Sequence, residues 1–400
     1  MRWGPAVATV VSITVAISGC STGPSPAPTQ LASQAAGEPS PALSPAAPAT
    51  LAAGPGQWAV TSLPLPEGVA PCSTDEGGLQ NLRAVEFGPG LLALGSCAHT
   101  TSPSLIWVSP DGHIWQVSAP KALAHADVYS LLAADGLVVA TGQDTTNGFA
   151  AASWASHDGL SWTRSTGDLG CGVMSQVARL GSEFVAFGNK TPDAPEVDVP
   201  PGVCEWVSPD GIAWQPVALP DKTFPASAGI SSIAAGAGGL VAVGSVAGPT
   251  QSAAAAWSSP DGRAWTRLAT GIPAGWISLD VVLPGGPGYV ALGTDGSGNS
   301  VLATSADGLA WTPTPVPEQG VLEGGPSIAS GSAGVVLAGF STNGDPTTTM
   351  VWSSTDAVQW QPAPAPPPAL NYLSVAAPQN TVVLAAATAS GGATLVRLGP

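Results

Sequence analysis

Side chains with chemical potential are few and scattered in this sequence. His99, His113, His125 and His157 stand apart, and no Gly-x-Ser-x-Gly elbow is present, so no Ser–His arrangement or histidine metal site is suggested. Arg83, Tyr129 and Asp280 sit at matching places, near the starts of short apolar runs in three different segments. Such groups could bind and activate a substrate only if the fold made them converge, which spacing alone does not show. Asp295-Gly-Ser297-Gly-Asn299 offers oxygens at alternate positions, as calcium loops do, but lacks the Glu that completes an EF-hand loop. No metal and no cofactor is therefore expected. The most irregular polar segment is GNKTPDAPEVDVPPGVC at 188–204, where Asp193, Glu196 and Asp198 lie among prolines. It is the longest insertion and a candidate partner loop.

What must position these groups is a repeat. WVSPDGHIW (107–115) recurs as WASHDGLSW (154–162), WVSPDGIAW (206–214) and WSSPDGRAW (257–265), then more weakly as ATSADGLAW (303–311) and WSSTDAVQW (352–360). Asp111, Asp158, Asp210, Asp261, Asp307 and Asp356 are separated by 47, 52, 51, 46 and 49 residues. A period near fifty points to a propeller or a solenoid. Upstream of each turn a second pattern returns, for example NLRAVEFGPGLLALGS (81–96) and SSIAAGAGGLVAVGS (231–245). Each unit thus reads as four short strands, A to D; in the first they span about 82–87, 91–96, 103–109 and 113–118. Four strands per repeat favour a propeller blade.

Six turns are visible, and the termini supply a seventh blade. Residues 371–399 read as strands A, B and C with no D. The missing strand is found in GQWAVTSLPLP (56–66), at about 56–64, where Trp58 takes the place of Trp115. Joining the termini in one sheet closes the ring and removes free edges. The expected fold is all-β, a seven-bladed β-propeller over 56–400.

The repeated turn resembles the Asp-box, Ser-x-Asp-x-Gly-x-x-Trp, of sialidase-like propellers, with the difference that Gly directly follows Asp. The resemblance implies a structural turn joining the outer two strands of a blade, away from the catalytic centre. A three-residue loop centred on Asp111 would set Trp107 opposite Trp115, and paired rings of ~150–250 Å² each would fill the space between blades. Sialidase chemistry implies three arginines for the substrate carboxylate, a Tyr–Glu nucleophile pair and an acid–base Asp. Only Arg83 is well placed, since Arg164, Arg179, Arg263, Arg267 and Arg397 fall on outer strands or far ends, and the Arg-Ile-Pro segment of sialidases is absent.

Residues 1–20, MRWGPAVATVVSITVAISGC, carry one positive charge and a short apolar stretch ending in small residues, as an export signal does. The ending Ile17-Ser18-Gly19-Cys20 resembles the lipobox of bacterial lipoproteins. That resemblance implies a signal peptide over 1–19, lipidation of Cys20 by diacylglycerol with a further acyl chain such as palmitate, and attachment to the cell membrane from outside the cytoplasm. A Pro/Ala/Ser-rich linker over 20–55 follows; it cannot bury a core and acts as a spacer. Seven Arg against three Lys resembles actinobacterial usage.

Beyond Cys20 there are four cysteines, Cys72, Cys97, Cys171 and Cys204. An even number in an exported chain suggests two disulfides, with three connectivities open. Repeat alignment favours Cys72–Cys97 and Cys171–Cys204, as staples of loops on one face. The net charge of −16 argues against nucleic acid and suits a soluble monomer. The sequence reads as a binding or scaffold module for a protein or envelope glycan. The alternative is a sialidase-like glycoside hydrolase, reduced in activity.

Overall fold

The structure is a computed structural model. It describes 57–398 apart from several short segments, of which 191–201 is the longest, together with the two-residue strand Thr14–Val15. Cys20 and the loop residues Asp193, Glu196 and Asp198 lie outside the described residues.

Seven antiparallel sheets of four strands form a ring. The first blade runs outward through Leu79–Phe87, Gly90–Cys97, Leu105–Ser109 and Gln116–Ser118, and five more repeat that order. In the seventh, Asn371–Ala376, Val382–Ala387 and Ala393–Leu398 are completed by Trp58–Ser62 from the other terminus. Each inner strand touches those of the blades on either side, and Asn371–Ala376 packs back on Leu79–Phe87. Thr14–Val15 pairs in parallel with Leu132 and Ala133, on the inner edge of blade 2. Among the described residues no helix is long and apolar enough to cross a membrane.

The core is distributed over seven seams, one between each pair of blades. Trp154 and Trp162 of blade 2 pack on Leu92, Leu94 and Ile106 of blade 1. In the same way Trp257 and Trp265 of blade 4 meet Val185, Phe187 and Val207 of blade 3. Trp107 and Trp115 close the ring against Val383, Ala385 and Leu395 of blade 7. Strands with both faces buried explain the continuous Val/Leu/Ala runs of strand B, such as GLVAVGSV at 239–246.

The turn between strands C and D is built alike six times. Asp111 Oδ1 accepts from the amides of His113 and Ile114, at 2.8 and 2.9 Å, while Ser109 Oγ accepts from the Gly112 amide at 2.8 Å. Asp158, Asp210, Asp261, Asp307 and Asp356 each accept two turn amides in the same way. These amides hold the carboxylates below their ordinary pKa; at Asp111 and Asp261 they are the largest cause. The turn is longer than the three-residue loop expected. Strand D begins at Gln116, and Trp107 pairs with Val117 instead of facing Trp115. The carboxylate and hydroxyl satisfy amides that a tighter hairpin would have used in the ladder. Both rings still enter the same seam.

Trp58 does occupy the expected place. It pairs with Leu398, and Leu398 matches Ser109 through the common register of Leu384 with Val396 and of Ala93 with Trp107.

Candidate functional site

Loops between strands B and C, and between D and the next A, share one end of the strands; the Ser–Asp–Gly turns occupy the other. Both disulfides lie at the first end and have the pairing expected, Cys72–Cys97 and Cys171–Cys204. They close segments of 25 and 33 residues, worth about 3–4 kcal/mol each in the chain-entropy model. They also tie the segment entering blades 1 and 3 to the second or third strand of the same blade.

Inner strands enter from this end, and there the ladder is interrupted. The register slips between Val128 and Ser130, Ile230 and Ser232, Leu279 and Val281, and Tyr372 and Ser374. Wider slips occur at Gln80/Arg83 and Glu323/Ser327. Tyr129 and Asp280 are skipped residues of these bulges, which explains their matching places in the sequence. A bulge unpairs one residue and re-aims its neighbours.

The residue after the slip bridges to the next blade. Ser374 Oγ donates to Leu82 O at 2.7 Å, Arg83 Nη1 to Val128 O at 3.0 Å, and Ser232 Oγ to Val282 O at 3.3 Å. Arg83 is thus one of a series of inter-blade struts. It is 1% exposed, and burial lowers its pKa to about 10, so it stays charged at neutral pH. Asp127 and Tyr129 oppose that lowering electrostatically, which puts the guanidinium beside both.

Around Tyr129 there is a network that the sequence did not disclose. Its hydroxyl donates to Asp127 Oδ2 at 2.7 Å. Gln143 Nε2 donates to the same carboxylate oxygen at 3.1 Å and to the Tyr129 hydroxyl at 2.8 Å. Burial, then the Asp127 hydrogen bond, pushes the phenol pKa up, so Tyr129 remains a neutral donor. The available signal was the i, i+2 spacing in Asp127-Val-Tyr129, which shares a strand face.

Asp280 stands apart, in blade 5, three blades from Tyr129 around the ring, where it accepts from Thr294 Oγ1 at 3.0 Å. The network brings together Arg83 and Tyr129 with Asp127 and Gln143; Asp280 has its own partner. In the 295–299 loop, Asp295 accepts from the Ser297 and Asn299 amides and from Asn299 Nδ2, closing the loop on itself. No His/Cys/Asp/Glu group able to hold a metal occurs among the described residues. The paired tryptophans offer no ring face to a glycan: Trp107, Trp115, Trp154, Trp206 and Trp257 are at most 1% exposed.

This architecture defines the chain as a seven-bladed β-propeller. No protein-family model matches the sequence, and no curated protein is significantly similar. Several solved structures are similar at low identity. A protein of unknown function from Dyadobacter fermentans DSM 18053 is 14% identical at a TM-score of 0.46, over 68% of this chain and 94% of that one. Trypanosoma rangeli sialidase is 14% identical at 0.46, over 71% of this chain and 56% of that one. The fucose-specific lectin from Aleuria aurantia is 12% identical at 0.45, over 71% and 94%.

Proposed function

We propose that this protein is a lipid-anchored, extracytoplasmic β-propeller that binds a protein or an envelope glycan through the loop face bearing its two disulfides. The observation that carries the reading is that Cys72–Cys97 and Cys171–Cys204 stiffen one end of the strands, beside the Asp127–Tyr129–Gln143 network. Stiffened loops lose less freedom on binding. Disulfides also persist in oxidising compartments, which supports export. Lipidation at Cys20, a signal over 1–19 and a spacer over 20–55 complete the proposal, with an Asp-box-like turn as the repeated structural element. The acidic loop of Asp193, Glu196 and Asp198 belongs to the same end by its place between strands B and C of blade 3.

Expression in a lipoprotein-processing bacterium tests the anchor. The wild-type chain is expected in the membrane fraction, and Cys20→Ala in the soluble exported fraction; equal partition of both contradicts it.

A second reading, a sialidase-like glycoside hydrolase of reduced activity, is favoured by the Tyr129–Asp127 hydrogen bond near Arg83. That pair couples a phenol to a carboxylate able to take its proton. Turnover of a fluorogenic sialoside that disappears in Tyr129→Phe supports the enzyme; no turnover leaves the binding module.

A further inference from the structure

The network of blade 2 lies in a setting that selects a ligand class. Asp127 pairs across the ladder with Gln143, and Gln143 with Ala151. Ala151 packs into the seam shared with blade 3, so the three polar groups occupy that side of the sheet. Phe149 precedes Ala151 by two residues and falls on the same side by the alternation of extended chain. Its Cα is within about 10 Å of that of Gln143, from ordinary strand spacing. It is 62% exposed, although large apolar groups are normally covered.

Across the seam runs the segment 171–174. Ala151 N donates to Cys171 O at 3.1 Å, and Met174 N to Gly142 O at 3.0 Å. The Cys171–Cys204 disulfide holds that segment in place. The loop end of the seam therefore has a polar floor, one aromatic flank and one stapled flank.

The hydrogen-bond inventory of the floor is specific. Gln143 Nε2 spends its donors on Asp127 and Tyr129. Gln143 Oε1 and Asp127 Oδ1 remain, two acceptors on adjacent strands. The Asp127 charge is balanced by the buried guanidinium of Arg83 beside it. Balanced charge removes the preference for a cation or an anion, while paired acceptors suit hydroxyl groups. A bare aromatic face suits the C–H side of a sugar ring.

We propose that the loop end of the blade 2–blade 3 seam binds a neutral pyranose, with Asp127 and Gln143 accepting its hydroxyl hydrogens and Phe149 covering its apolar face. This deepens the loop-face reading above and rests on it.

The test is NMR titration of the folded protein with methyl glycosides of glucose, galactose and mannose, with glucosamine and N-acetylneuraminic acid as charged counterparts. At least one neutral glycoside is expected to bind, more tightly than either charged sugar. Phe149→Ala should weaken it about tenfold or more at an unchanged Tm, because that side chain is exposed. Gln143→Ala should weaken it as well; if that variant melts early, the Phe149 variant decides. The site is overturned if no neutral glycoside binds, if a charged sugar binds more tightly, or if Phe149→Ala leaves affinity unchanged. A blank sugar panel together with a protein partner captured at the loop face removes the pyranose site and leaves the broader reading intact. Partners captured only at the opposite face remove both.

Discussion

Trp265 of blade 4 donates its indole N–H to the buried carboxyl of Glu205 in blade 3, Nε1 to Oε1 at 2.9 Å. Glu205 immediately precedes the strand-C tryptophan, Trp206, and its place in blade 2 is taken by Ser153, whose Oγ accepts from Trp214 at 2.7 Å. The corresponding residues Leu395, Ala256 and Leu302 offer no acceptor, and the indole nitrogens of Trp115, Trp311 and Trp360 are buried without a partner. One position of each blade thus decides whether the next blade's outer tryptophan is satisfied.

Glu205 makes this seam sensitive to pH. It is 1% exposed; burial pushes its pKa up to about 8, opposed by the Trp265 hydrogen bond and by Arg263, and reinforced by Asp261. The native state therefore keeps a proton that the unfolded chain loses above its ordinary pKa near 4.5. Stability from this group is full below about pH 4.5 and falls as pH rises towards 8, by a few kcal/mol in total. Glu205→Gln keeps an acceptor for Trp265 and cannot ionise. Melting curves should show the variant close to wild type at pH 5 and more stable at pH 8. Parallel pH dependences for the two proteins would contradict the assignment.

The turn glycines are required for two reasons that can be separated. Gly308 has φ +76°, and a Cβ there would lie 2.3 Å from Val241 Cγ2 of the preceding blade. Gly308→Ala should cost about 2 kcal/mol or more, from the left-handed backbone and the clash together. In the sixth copy Ala357 already stands at φ +57°, fully buried. Ala357→Gly removes about 1 kcal/mol of backbone strain and about 0.8 kcal/mol of methyl burial. Chemical denaturation should find it within about 0.5 kcal/mol of wild type.

Ring closure rests on five residues from the N-terminal side. Removing 57–62 leaves Ala393–Leu398 with an open edge and strips Trp58 from its seam. Such an edge invites pairing with a second copy. Light scattering of the truncated protein should show dimers or aggregates under conditions where the full propeller is monomeric.

Much of this was legible in the sequence. The Ser–Asp–Gly turns, the spacing near fifty residues and the unmatched termini all follow from local turn chemistry, which leaves a direct mark in residue type. The disulfides were legible for the same reason, since the repeat fixes which cysteines share a blade. The polar network was not. Asp127 and Gln143 belong to no motif and meet only through the strand register, and the role of Arg83 depends on a slip that sequence periodicity does not reveal. Alternation alone made Arg83 a mouth residue; the bulge turned it into the seam.

The central claim is that the disulfide-bearing loop face is the binding face. It is tested most directly by placing a photo-crosslinking amino acid, in the intact cell envelope, at loop-face positions Phe149, Gln251 and Asn299 and at turn-face positions Ile114, Leu309 and Val358. All six are exposed. Crosslinked partners, protein or glycan, are expected from the first three and not from the second three. Partners recovered only from Ile114, Leu309 or Val358, or none from either face, would contradict the account.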